Sequence, residues 1–210
     1  MVPSLAHGAP ASFPWVLAFL ADPVREPVSD LDRAMERYAD GDDSAFDELY
    51  EGLAPRLHGH LLRLTRDPSR ADDLLQQTFL RMHGARGRFT PGAEVVPWAF
   101  AIARRLFLDS IRRRRFEGPS LDDDSHVGLE PTDDGPSAED RVAANELVAR
   151  VDGVLATLPE NQRVAYELVQ RDGLSIAEAA SVVGATVTAM KLRAHRAYTA
   201  LRDALGGERP

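Results

Sequence analysis

Gly184 separates two stretches of helical periodicity, and that break constrains the fold more than any other feature of the chain. Residues 174–197 (LSIAEAASVVGATVTAMKLRAHRA) read as a helix, a tight turn at Gly184 and a second helix with a cationic face. This is the pattern of a helix-turn-helix, whose second helix enters the DNA major groove. The only lysine of the chain, Lys191, lies on that second helix among Arg193, His195 and Arg196. Helical spacing gives Val187, Met190, Ala194, Ala197 and Leu201 as its buried stripe. Thr188, Lys191, Leu192, His195 and Thr199 then point away, with Arg193 and Arg196 on the flanks. Thr186, Thr188, Lys191, Leu192, Arg193, His195 and Arg196 are the candidate DNA contacts. Arginine and lysine donate to guanine edges or to phosphates, and threonine does either or meets a thymine methyl. The plainer alternative is a solvated basic helix end.

Upstream, the same helical period recurs and no strand alternation is visible. Leu31, Ala34, Met35 and Tyr38 fall at i, i+3, i+4 and i+7. Asp43-Ser44 can cap the next helix, where Phe46, Leu49, Tyr50, Leu53 and Leu57 share a face and Leu61, Leu62 and Leu64 continue the run to Thr65. Asp67-Pro68-Ser69 breaks the chain, and a third helix follows over 69–84 with Ala71, Leu74, Leu75, Thr78, Phe79 and Met82 at helical spacing. Arg88 to Pro97 reads as a loop that turns at Thr90-Pro91-Gly92. A fourth helix runs from Val96 to Arg115, with Trp98, Ile102, Leu106, Leu108 and Ile111 toward its buried side. It ends in Arg112, Arg113, Arg114 and Arg115, where cations suit a helix C-terminus. Helices are expected again over 138–156, 160–171 and 175–183, then the recognition helix over 187–204. The expected fold is all-α: two small helical domains joined by an acidic flexible linker.

The boundaries follow from charge. The net charge is −8 over 210 residues, an odd total for a DNA binder. Its distribution resolves the oddity, because residues 46–116 are basic while residues 117–146 carry ten acidic side chains against one basic. Residues 1–28 hold five prolines and no clear period, so they are read as a poorly ordered extension, with Trp15 and Phe19 as a candidate docking turn. The divisions are 1–28 extension, 29–116 first helical domain, 117–137 acidic linker, 138–205 helix-turn-helix domain and 206–210 tail. The chain has no cysteine, which removes disulfides and thiolate metal sites. The six histidines are scattered, with no metal use expected, and no cofactor is called for. No apolar run reaches the ~18 residues of a membrane span, and no basic stretch precedes the apolar segment at 13–20, so membrane insertion and a signal peptide are not expected. A cytoplasmic protein is expected.

The order and spacing of several short motifs carry a family resemblance. Ala45-Phe46-Asp47-Glu48-Leu49-Tyr50, Leu61-Leu62-Arg63-Leu64-Thr65, the run from Ala71 to Leu80 and Trp98-Ala99-Phe100-Ala101-Ile102-Ala103-Arg104-Arg105 resemble region 2 of extracytoplasmic-function (group 4) sigma factors of the sigma-70 family. Leu158-Pro159-Glu160-Asn161-Gln162-Arg163, Gly173-Leu174-Ser175, Glu178 and the helix-turn-helix resemble region 4. The resemblance implies a dissociable subunit that binds core RNA polymerase and directs it to promoter DNA. Region 2 would read and open the −10 element and region 4 would read the −35 element. An anti-sigma factor is the further partner it implies, one that would hold the two domains packed together when inactive.

The same resemblance assigns roles. Arg88, Phe89, Trp98, Arg104, Arg105 and Arg112 to Arg115 would face the −10 DNA, the arginines neutralising phosphates. The loop from Arg88 to Val96 fills the position that captures a flipped base, with Phe89 as a wall; a plain interhelical turn is the alternative. Trp98 is a candidate wedge, although its place in the apolar stripe favours packing. Asp72, Asp73, Gln76, Gln77 and Phe79 would dock on the polymerase, where acidic and amide groups suit a basic partner. Departures from the family pattern stand at Gln77 (commonly glutamate), Arg105 (often asparagine) and Leu192 (commonly serine). The acidic linker would mimic nucleic acid in the polymerase channel, act as a spacer, or fold back on the basic helix. Competing readings are a sigma-like decoy that binds an anti-sigma factor and a stand-alone helix-turn-helix regulator. No Gly-rich phosphate loop, nucleophile motif or metal cluster supports an enzyme.

Overall fold

A computed structural model describes residues 29–117 and 138–206, with the backbone alone described at 116–117 and 138–145. The expectations for the N-terminal extension, the acidic linker and the last residues of the tail lie outside the described residues. Eight α-helices make up the described chain: α1 (Asp30–Ala39), α2 (Ala45–Thr65), α3 (Pro68–Ala85), α4 (Val95–Glu117), α5 (Ala138–Thr157), α6 (Glu160–Tyr166), α7 (Ile176–Val183) and α8 (Val187–Leu205). No strand occurs among the described residues.

Local chemistry sets the helix ends. Ser29 and Asp32 form a capping box on α1, each side chain accepting from the other's backbone N–H. Asp67 accepts from the Arg70 N–H at 3.2 Å, with Pro68 in the first turn of α3. The sequence placed Val95 and Pro97 in a loop; the helix starts at Val95 instead. Two things permit this. Proline is tolerated in a first turn, and the Val95 N–H, an orphan donor at a helix start, is held at 2.7 Å by Asp32 Oδ1. The expected 160–171 helix is also divided. Its α-form stops at Tyr166, and Glu167–Arg171 makes a π-helical turn. A 3₁₀ turn at Arg86–Arg88, likewise unexpected, ends α3.

The two expected domains are not merely tethered, because one hydrophobic core runs through both. Met35, Leu49, Leu53, Leu57, Leu61, Val95 and Phe100 of the first are fully buried, and the same cluster continues through Val164, Leu168, Ala179, Met190 and Ala194 of the second. Helix α4 packs directly against α7.

An ionic clasp closes the junction. His60 and Asp172 have side chains 2% and 1% exposed, and His60 Nδ1–H donates to Asp172 Oδ2 at 2.7 Å. Arg63 donates to Asp172 Oδ1 and, at 3.2 Å, to Glu167 Oε2. Arg56 donates to the Asp172 carbonyl oxygen at 3.0 Å. Arg56, His60 and Arg63 lie one helical turn apart on α2. The carboxylates sit at the two ends of the π turn, which places Asp172 so that its N–H reaches the Glu167 carbonyl at 2.9 Å.

Candidate nucleic-acid interface

The helix-turn-helix forms where its residues dictate. Ser175 and Glu178 build a capping box on α7. Gly184 ends α7 with φ +65°, and the Ala185 N–H bonds back to the Ala180 carbonyl at 2.9 Å. This is the left-handed helix stop that glycine fits without strain. Thr186 caps α8 by accepting from the Ala189 N–H at 3.1 Å, so this candidate DNA contact also holds the start of the helix. Met190, Ala194, Ala197 and Leu201 are buried as the stripe required, but Val187 is 43% exposed. It is the first residue of α8. Thr188, Leu192, His195 and Arg196 are exposed along one face, and Lys191 and Arg193 are half-buried at its margins.

The first domain places its candidates on α4 and the loop before it. The loop turns at Thr90–Ala93, with Gly92 at φ +78° and the Ala93 N–H bonding to the Thr90 carbonyl at 3.0 Å, a type II turn set by Pro91-Gly92. Glu36 accepts from the Gly92 N–H at 2.7 Å. Two carboxylates of α1, Asp32 and Glu36, thus fasten the loop that presents Arg88 and Phe89. These positioning residues escaped sequence reasoning, although the Ser29–Asp32 capping spacing was there to be read. Phe89 packs on Trp98 with ring centroids 5.3 Å apart. Trp98 is half-buried against the core, in keeping with packing.

The arginines of α4 divide. Arg105, Arg112, Arg113 and Arg115 are exposed, and Arg112 pairs with Asp109 at 3.4 Å. Arg104 turns inward instead. Its side chain is 15% exposed, with Glu160 at 3.8 Å. Burial lowers its guanidinium from the ordinary value, and the charge of Glu160 opposes that shift. Arg104 and Arg193, one candidate from each domain, line a single cavity of about 440 Å³ together with Glu160, Val164, Val183 and Met190.

Asp72, Asp73, Gln76 and Gln77 are exposed along α3, and Asp72 lies 3.1 Å from His58. Phe79 is buried, yet its ring stacks 4.9 Å from Tyr50 and forms the floor of a groove rimmed by Tyr50, Asp72, Gln76 and Leu80. Leu80 is 63% exposed, an apolar side chain that invites a partner. No helix among the described residues is long and apolar enough to cross a membrane.

Comparison with known proteins decides what this arrangement belongs to. Residues 49–117 match the sigma-70 region 2 family and residues 149–201 match sigma-70, region 4. The chain is 36% identical over 172 residues to RNA polymerase sigma factor CarQ of Myxococcus xanthus, covering 82% of this chain and 95% of that protein. It is 35% identical to ECF RNA polymerase sigma factor SigF of Caulobacter vibrioides, covering 80% of this chain and 90% of the relative. The chain is an extracytoplasmic-function sigma factor. Among solved structures, this sigma factor is similar to CnrH in complex with the cytosolic domain of CnrY, with a TM-score of 0.62 and 26% identity over 86% of this chain and all of that one. It also resembles the sigma factor RpoE of Bartonella quintana bound to the anti-sigma factor NepR, with a TM-score of 0.57 and 25% identity over 78% and 98% of the two chains. Helix α1 lies outside both family matches, although its carboxylates hold the region 2 loop of this sigma factor.

Proposed function

We propose that this sigma factor selects promoters through two separate DNA-facing helices: α8 reads a −35 element, and α4 with the Arg88–Glu94 loop engages and opens a −10 element. The observation that carries the reading is the exposed face of α8, where Thr188, Leu192, His195 and Arg196 meet solvent beside Lys191 and Arg193. These groups suit base edges and phosphates of a major groove. On α4 the arginines from Arg112 to Arg115 supply phosphate neutralisation. The aromatic pair Phe89–Trp98 beside a fixed turn suits a base drawn out of the stack.

Core RNA polymerase docks on the α3 face bearing Asp72, Asp73, Gln76 and Gln77. The Tyr50–Phe79–Leu80 groove supplies the desolvated centre that a protein interface needs within a polar rim. The protein is a specificity subunit rather than an enzyme, and it works in the cytoplasm with the polymerase. An anti-sigma factor is its regulatory partner, a reading supported by the similar sigma factor of Bartonella quintana, solved with the anti-sigma factor NepR.

The test is transcription in vitro by core polymerase on a genomic DNA library, with and without this protein, with the 5′ ends sequenced. New start sites that share −35 and −10 elements are the expected result. A protein that binds core polymerase yet yields no new starts overturns promoter selection in favour of a decoy.

A further inference from the structure

Promoter selection leaves one apolar stretch of the chain unused, Phe13-Pro14-Trp15-Val16-Leu17-Ala18-Phe19-Leu20. No charged side chain occurs from Gly8 to Ala21. Trp15 and Phe19 stand four positions apart, as do Val16 and Leu20. That is the spacing at which a segment lays its anchors into a groove. The stretch is well short of the ~20 residues that cross a membrane. No lysine or arginine precedes Arg25, so it also lacks the basic face that holds an amphipathic segment on a lipid surface. Side chains of this kind call for an apolar partner surface.

The first domain offers a groove of matching character. It runs between α2 and α3, has a volume of about 770 Å³, and its apolar lining is Tyr38, Phe46, Tyr50, Leu75, Phe79 and Leu80. The wall is aromatic: Phe79 meets Phe46 edge-on with ring centroids 5.8 Å apart, and Tyr38 lies 5.6 Å from Phe46. At the Tyr38 end the tyrosine hydroxyl is 2.5 Å from His83 Nδ1. Tyr50 and Leu80 remain 47% and 63% exposed. The connection is short and leads to this domain. Residues 21–28 reach at most about 28 Å when extended. They lead to Ser29 at the start of α1, and Tyr38 of the groove lies about 12 Å further along that helix.

We infer that residues 13–20 dock in the α2–α3 groove of their own chain, with Trp15 and Phe19 as anchors, and compete there with core polymerase. The docking rests on the apolar match and the tether; the competition rests on the polymerase-docking reading above. A short tether holds its segment at an effective concentration on the order of millimolar, so a weak intrinsic affinity suffices to fill the groove. The segment covers the apolar centre of the face and leaves part of its polar rim accessible. Asp73 and Gln77 are exposed on α3 outside the groove lining, so polymerase can engage them first and then displace the segment. Each encounter with polymerase thus carries the cost of vacating the groove, which lowers apparent affinity by the fraction of time the groove stands free.

Trp15 and Trp98 are the only tryptophans of the chain, so the full-length protein made with 5-fluorotryptophan gives two fluorine NMR signals, assigned with Trp15→Phe. The Trp15 signal is expected to be displaced from that of a free peptide of residues 8–24, by the same amount at every protein concentration. Leu80→Asp, on the exposed rim, should return it to the free-peptide position and leave Trp98 unmoved. Should L80D disturb the fold and move Trp98, a nitroxide on Asp73→Cys, the sole cysteine of that variant, decides by broadening Trp15. A wild-type Trp15 signal at the free-peptide position overturns the inference, as does one that neither L80D nor the nitroxide alters. A displacement that grows with protein concentration overturns it in favour of a second copy in the groove. Trp15→Ser with Phe19→Ser in the full chain should tighten core polymerase binding about ten-fold, as for a groove free about a tenth of the time. Weaker binding by that variant overturns the competition. Unchanged binding, with Trp15 docked in the parent, would leave the segment in its groove and count against α3 as the polymerase face.

Discussion

Helices α4 and α8 are the two cationic helices of this sigma factor, and they hold their charge differently. Along α8 Met190, Ala194, Ala197 and Leu201 are buried and most of the polar face opens to solvent, so helical spacing divides the two except at Val187. Along α4 the division fails. Its middle is wedged between α2 and α7, Phe100 and Ala103 are wholly buried, and Arg104 is drawn in with them, while Arg112, Arg113 and Arg115 stand exposed toward its C-terminus. A helix with one packed side keeps its polar residues available. A helix packed on two sides surrenders some of them to the junction.

The largest effect that would sharpen this contrast is on stability. Phe100→Ala removes a ring packed under His60 and should cost about 3–5 kcal/mol, whereas Leu192→Ala on the open face of α8 should change stability by less than about 0.5 kcal/mol. Equilibrium denaturation measures both. Equal losses would mean that α8 is packed as tightly as α4 and would break the comparison.

Next comes DNA binding in the holoenzyme. Reversal of Arg112 to Arg115 to glutamate should weaken promoter binding at least about a hundred-fold and reduce the dependence of log K on log salt by up to about 0.9 for each phosphate that is no longer neutralised. An unchanged salt slope would remove α4 from the DNA. Lys191→Glu on α8 should cost about 10- to 100-fold, and only on templates that carry the upstream element; an equal loss on templates without it would assign Lys191 elsewhere.

A smaller effect concerns the caps. Thr186→Ala and Ser175→Ala should each destabilise by about 1 kcal/mol, because each removes the side-chain acceptor at a helix start. If T186A lowers promoter binding beyond what its stability explains, the hydroxyl also touches DNA.

The smallest is a pH effect at the junction. Burial, foremost, raises the Glu167 carboxyl above its ordinary value of 4.5, against the opposing charges of Arg171 and Arg63. A carboxyl raised in the folded state contributes stability that is present below its unfolded value and lost as pH rises through the folded one. Glu167→Gln is therefore expected to be more stable than the parent at neutral pH, with the difference shrinking as pH falls through the raised value and gone below the ordinary 4.5. Urea titrations at several pH values would show it, and a difference that grows toward acid pH would reverse the assignment.

Much of the fold was legible because local signals agreed. Helical periods, Asp67-Pro68, Gly184 and the Pro91-Gly92 turn each describe a few neighbouring residues, and each occurs where its chemistry placed it. The misses share one character. Val95 starts a helix because Asp32, sixty-three positions away, holds its N–H. The π turn at Glu167–Arg171 brings Asp172 to a partner 112 positions upstream. His60 looked like one of six scattered histidines and proves to be the centre of the junction. The candidate polymerase face of α3 was readable as exposed acids and amides, but the groove beside it joins α2 to α3 and no single helix displays it.

The sequence by itself therefore determined most of the helices, the helix-turn-helix and the family, because these depend on periodicity and on interactions within a few residues, whereas the cap expected at Ser44 makes no side-chain hydrogen bond. The tertiary structure alone decided which cations face solvent and how the two domains meet. Those outcomes depend on the burial of ionic groups between elements remote in sequence, where desolvation and pairing nearly balance and no local pattern records which prevails.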